Sequence, residues 1–187
     1  MDDEQKKQFT ITPDDLPQPD HDRYEPDSRV IVKSRRDSRS LAFHYVYAVD
    51  RFEYDVSLDT IVSSFKEAYN IEVNDNSFSV NLARGAIEHR DEFDQMIVPF
   101  LQNWKLERLG CATRIILRMG LWELTRTQEP HSVVINEAVE LAKSFAERDS
   151  YRFVNGLIDQ IYKKTIDPTR LTVAPEEVVE PEEAEDE

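Results

Sequence analysis

The chain has 187 residues, a formal charge of −15 and a single cysteine. Cys111 alone cannot close an internal disulfide, and no apolar run approaches the ~18 residues a membrane span needs. Disulfide-stapled secreted scaffolds and membrane-embedded classes are therefore excluded, no secretory leader is expected, and a soluble cytoplasmic protein without a membrane partner is predicted.

The charge is unevenly spread. Residues 1–28 carry net −6 and residues 175–187 net −8, whereas the span 29–174 carries only −1. The two ends are also rich in Pro and poor in large apolar residues, a composition that cannot offset the entropy of ordering. Residues 1–30 and 168–187 are therefore expected to be disordered acidic tails around a folded domain at 31–167. The tails hold nearly all the charge, so the local patches of a nearly neutral domain decide its partners.

In chain order, about seven helical segments are predicted. The first runs from near Ser34 to Tyr54, with Ala42, Tyr45, Val46, Val49 and Phe52 facing inward. The second starts at Ser57, a suitable N-cap, and buries Leu58, Ile61, Val62, Phe65 and Ala68. After the breaker-rich loop NIEVNDNS, a third starts near Ser77 and carries Phe78, Leu82, Ala86 and Ile87. A fourth, near Glu92 to Asn103, is expected to kink or break around Met96–Pro99. The fifth spans about Leu106 to Thr125. In Val133–Asp159, Val134, Ala138, Leu141, Ala142 and Phe145 form one apolar stripe; Phe153, Val154, Leu157 and Ile161 form the next. Asp149 and Ser150 offer the cap between these last two helices, and Gly120 and Gly156 are expected at close helix crossings. Scarce glycine and the lack of strand–turn–strand rhythm predict an all-α fold.

Catalysis finds little support. The four histidines are scattered, no second cysteine completes a metal site, no GxSxG or phosphate loop is present, and no carboxylate pair stands out. No cofactor or metal is expected. The positive signal is the start of the first helix. Arg29, Lys33, Arg35, Arg36 and Arg39 stand against Asp37 alone, net +4 over residues 29–39. Arg35 and Arg39 are four apart and share a face. Guanidinium groups suit phosphate, and the following His44, Tyr45 and Tyr47 are of the type that stacks unpaired bases. Basic clusters are common, so taken alone these residues do not establish a nucleic-acid site.

Several segments resemble one family in the right order: RRDSRSLAFHYVY, NLARGAIEH, WKLERLGCATRIILRMGLWEL, VINEAVELAKSF and FVNGLID. Together they are similar to the NusB family of bacterial transcription antitermination factors, over about Ser34 to Ile161. The resemblance implies a single all-helical domain of two packed subdomains. It also implies a non-enzymatic function: binding boxA-type single-stranded RNA with ribosomal protein S10, so that RNA polymerase reads through terminators in ribosomal RNA operons. Carried over position by position, Arg35, Arg36, Arg39, His44 and Tyr47 fall in the RNA-binding opening, and Asp149, Ser150 and Arg152 at the start of the last helix. Phe153 is assigned to the core. Glu107, Thr113, Arg114 and Arg118 are the candidates for S10. His44 stands where glutamine is common, which makes one contact pH-sensitive, and Thr113 stands where an acid is usual. A monomer and a homodimer both remain open. The alternative reading is a helical protein-interaction module of the same fold with little RNA specificity. Domains of this kind also occur fused to RNA cytosine methyltransferases, but this chain lacks the Rossmann-like half that would hold a methyl donor.

Overall fold

A computed structural model describes residues 32–102 and 105–167. The expected tails, 1–30 and 168–187, lie outside the described residues. Within it the chain forms α1 (Arg35–Arg51), α2 (Leu58–Tyr69), α3 (Phe78–Glu88), α4 (Arg90–Ile97), α5 (Cys111–Arg126), α6 (His131–Phe145) and α7 (Ser150–Ile161), with short 3-10 turns at Val98–Phe100 and Leu106–Arg108. No strand occurs among the described residues, and none of the helices is long and apolar enough to cross a membrane.

Local chemistry sets the boundaries. The Ser34 hydroxyl accepts from the Asp37 N–H, and the Asp37 carboxylate accepts from the Ser34 N–H, both at 3.0 Å. This is a capping box, worth about 1 kcal/mol, and it gives Asp37 a structural task amid the arginines. Ser57 and Ser77 cap α2 and α3 in the same one-sided way, accepting from the Thr60 and Val80 amides. Asn70 ends α2 in the left-handed conformation at φ 49°. The predicted break near Pro99 occurs: α4 stops at Ile97 and the chain tightens into a 3-10 turn.

α1, α2 and α3 pack as one group and α4 to α7 as another, with α5 in the middle of the molecule. α1 and α3 both reach α5, so the two groups share one continuous apolar core. Gly120 lets α7 approach α5: a Cβ there would lie 3.0 Å from Ile158 Cδ1. Gly85 has a similar role that the sequence reading did not assign, since a Cβ would overlap the Trp122 indole. Gly156 does not serve this purpose, because the space beside it is open.

Three inward-facing assignments need correction. Phe52 is exposed because α1 ends at Arg51 and the chain turns away before the ring reaches the core. Ala68 is exposed at the end of α2. Phe153 is 39% exposed, and the buried stripe of α7 is Val154, Leu157, Ile158 and Ile161 instead.

Candidate nucleic-acid interface

The outer face of α1 runs alongside α6, and the pair forms the floor of the candidate site. At its N-terminal end, Arg35 and Arg36 are exposed. The Arg35 guanidinium lies 4.0 Å over the Phe78 ring and 3.8 Å from the Glu129 carboxylate. Arg36 donates two hydrogen bonds to Glu137, from Nε at 3.1 Å and from Nη2 at 2.6 Å. Those bonds hold the Arg36 pKa above its ordinary value.

Arg39 differs from its neighbours. It is 3% exposed and points inward, where Nε and Nη2 donate to Glu123 at 3.0 and 2.7 Å. Arg35 and Arg39 do flank one ring, Phe78, but only Arg35 is presented to solvent. As it stands, Arg39 is a core ion-pair residue and is not part of the accessible basic patch. The cause lies outside its own segment: Glu123 is 84 residues away, on the central helix.

One to two turns further along α1 an aromatic group begins. Phe43 stacks on Phe145 of α6 at 4.6 Å, His44 meets the same ring edge-on at 5.0 Å, and Tyr47 leans on Phe43 at 5.9 Å. Phe43 is buried, while Tyr47 is 40% exposed. Phe43 and Phe145 thus act as a rigid base beneath two accessible rings. Burial of part of its ring holds the His44 pKa below the ordinary value, so the imidazole is neutral at pH 7 and its pH response moves to more acid conditions.

Beyond Phe145, the loop into α7 folds over the N-terminus of α5. The Glu147 carboxylate accepts from the Thr113 hydroxyl at 2.9 Å and the Ser150 hydroxyl at 3.2 Å. Asp149 occupies the N-cap position of α7 in the left-handed conformation, but its side chain makes no cap hydrogen bond. The expected capping role therefore fails, and Glu147 is the acid that ties the loop down. Arg152 is exposed, its Nε donating to the neighbouring Tyr151 hydroxyl at 3.0 Å. Asp149, Ser150 and Phe153 line a cleft of about 490 Å³ with Arg108, Arg148 and Thr113.

The residues assigned to a protein partner are placed less favourably. Glu107 is exposed in the turn before α5. Thr113 is buried and committed to Glu147. Arg114 is half-buried, 3.7 Å from Asp50. Arg118 is buried, with two bonds to Asp94 at 2.8 and 2.6 Å and a third to the Tyr54 hydroxyl at 3.0 Å. α5 is the central helix, packed against α1, α3, α4, α6 and α7, so Thr113 and Arg118 spend their polar groups inside the fold. Among the described residues, no group of three His, Cys, Asp or Glu side chains is arranged to hold a metal.

Sequence reasoning missed Phe43, Phe145, Glu123, Glu137 and Glu147 as builders of this face. Glu137 and Phe145 lay within the α6 pattern, but their distant partners on α1 gave no local signal.

The comparisons with known proteins agree with this architecture. A profile of the NusB family matches residues 36–163. The transcription antitermination protein NusB of Macrococcus caseolyticus is 37% identical over 130 residues, which cover 70% of this chain and 97% of the relative. Among solved structures, NusB of T. maritima superposes with a TM-score of 0.64 at 29% identity, covering 75% of this chain and 99% of that one. A crystal structure of the antitermination factors NusB and NusE in complex with dsRNA matches with a TM-score of 0.59 at 29% identity, over 69% of this chain and 96% of that one. The chain belongs to the NusB family.

Proposed function

We propose that this chain is a non-enzymatic, cytoplasmic transcription antitermination factor that binds boxA-type single-stranded RNA together with ribosomal protein S10. The observation that carries this reading is the accessible face of α1, where Arg36 is followed by His44 and Tyr47 on a fixed aromatic base, with Arg35 exposed beside it at the start of the helix. Cations beside exposed rings are what unpaired RNA requires, because phosphates need charge and splayed bases need flat partners. The relative solved with NusE (S10) and dsRNA supports an RNA partner and S10, and the exposed rings argue for the single-stranded form.

In this account Arg35, Arg36, His44, Tyr47, Ser150 and Arg152 face the RNA. Asp149 sits at the same end of the face, where its carboxylate can accept from a base amino group. The S10 surface is narrower than the sequence suggested, and on the assigned residues it rests on Glu107 and the exposed edge of Arg114. The assembled pair then acts on RNA polymerase during elongation.

The test is reconstituted transcription through a terminator placed after a ribosomal RNA leader. Adding the protein with S10 is expected to raise read-through only when boxA is intact. Read-through unchanged by the protein, or raised equally on a scrambled leader, would refute the reading.

A further inference from the structure

Arg36 and Arg35 are both exposed cations, yet their chemistry differs. Arg36 is 56% exposed, and one edge of its guanidinium is taken by Glu137, a carboxylate only 13% exposed and therefore fixed on α6. A guanidinium has five N–H donors in a planar fork. Binding through Nε and Nη2 leaves the opposite edge, formed by Nη1 and the second Nη2 hydrogen, as a free pair of parallel donors. Among the described residues no partner takes that edge. The Arg36–Glu137 pair has no net charge, so a phosphate arriving there would meet the Glu137 anion across the guanidinium. A neutral acceptor pair would not.

We infer that Arg36 is a specificity-determining residue that reads the O6/N7 edge of one guanine in the bound RNA, with Glu137 as its positioning residue. The inference rests on the RNA-binding reading above. On its O6/N7 edge guanine offers two adjacent acceptors that match the arginine fork; the O2/N3 pair of an unpaired cytosine is the competing match, and the 7-deaza substitution below separates the two. Adenine would place its N6 amino donors against those of Arg36, and in uracil the N3–H donor separates the two carbonyls, so neither presents an adjacent acceptor pair. The base must be unpaired, because the major groove of an A-form duplex is too narrow for side chains to read. Beside Arg36, Ser40, Glu140, Leu141 and Ser144 line a cleft of about 230 Å³ in which such a base can lodge. Arg35 lies 3.8 Å from Glu129, in an ion pair too long for a hydrogen bond, so its donors stay available to a phosphate.

The experiment uses the full chain and a boxA-type RNA in which each guanine in turn is replaced by 7-deazaguanine, which lacks the N7 acceptor. Wild-type protein is expected to lose about tenfold in Kd, about 1.4 kcal/mol, at one guanine and little at the others. Arg36→Ala should bind the parent RNA about tenfold more weakly, ignore the 7-deaza substitution, and keep the salt slope. Arg36→Lys retains charge but not the fork, and should behave the same way. Glu137→Gln frees the charge, and should steepen the log–log salt slope by about 0.7 while losing discrimination. The inference is overturned if Arg36→Ala flattens the slope by about 0.7 and remains as sensitive to 7-deazaguanine as wild type, because Arg36 is then a phosphate clamp. Wild-type protein that prefers boxA over a scrambled RNA but ignores every 7-deaza substitution overturns this inference alone. Wild-type protein that binds neither RNA overturns the functional reading as well.

Discussion

Replacing Arg39 by Met separates a buried structural arginine from an RNA contact. The guanidinium is 3% exposed and satisfies Glu123, also 3% exposed, so its removal strands a carboxylate inside the fold. Breaking a buried pair in this way costs about 3–5 kcal/mol, a large part of the ~5–15 kcal/mol that holds a domain together. Glu137, 3.9 Å from Arg39, loses some neutralisation too. Burial already pushes the Glu123 pKa up, and without Arg39 nothing nearby opposes that push as strongly. The native carboxyl then binds its proton more tightly than the unfolded one, whose pKa is about 4.3. Stability of the variant should therefore be greatest below that value and fall as the pH rises through the native pKa. Urea denaturation across pH reads this as a midpoint that drops at neutral pH while the slope m holds. The double variant Arg39→Met/Glu123→Leu buries no stranded charge and should recover most of the loss. Its RNA salt slope should equal that of wild type. A single variant with unaltered midpoint and a flattened slope would refute this reasoning and return Arg39 to the RNA face.

Tyr47→Ala should weaken RNA binding by about 1–3 kcal/mol, the worth of one stacked base. Its urea midpoint should barely move, since the ring is 40% exposed; a midpoint shift matching the loss in affinity would make Tyr47 a packing residue instead. The Cys111 thiol, pushed up to about 11 by burial and by the Asp50 carboxylate it donates to, should react slowly with iodoacetamide at pH 8. Asp50→Asn should speed that reaction, and an unchanged rate would show that Asp50 does not govern the thiol. Deleting residues 1–28 and 175–187 removes net −14 and should tighten RNA binding at low salt, because a tethered polyanion competes at an effective concentration of order mM. Equal affinity of the truncated and full chains would limit the tails to solubility.

The helices were legible because their signals are local. Ser57 and Ser77 cap where Ser precedes an apolar stripe, and Pro99 breaks a helix for want of an amide hydrogen. The same logic failed where two residues fit one stripe equally well. Phe153 and Val154 both suit the period of α7, and only the crossing with α5 at Gly120 chooses the face that buries Ile158. Site residues were readable as types but not as environments. Arg35, Arg36 and Arg39 look alike in sequence, yet one rests on Phe78, one is braced by Glu137 and one is buried on Glu123. Those partners come from α3, α6 and α5, brought near by packing that no spacing on α1 encodes. Asp37 shows the converse: the pattern Ser34–Asp37 carried a capping signal, masked by the arginines on either side.

RNA recognition by this chain is tested by an equilibrium titration of the full chain against a boxA-type RNA and a scrambled control, each with and without S10. Binding to boxA should be tighter than to the scrambled RNA, strengthened by S10 and weakened by salt. Equal affinity for the two RNAs in both the presence and absence of S10 would contradict that recognition, leaving a helical protein-interaction module of the same fold.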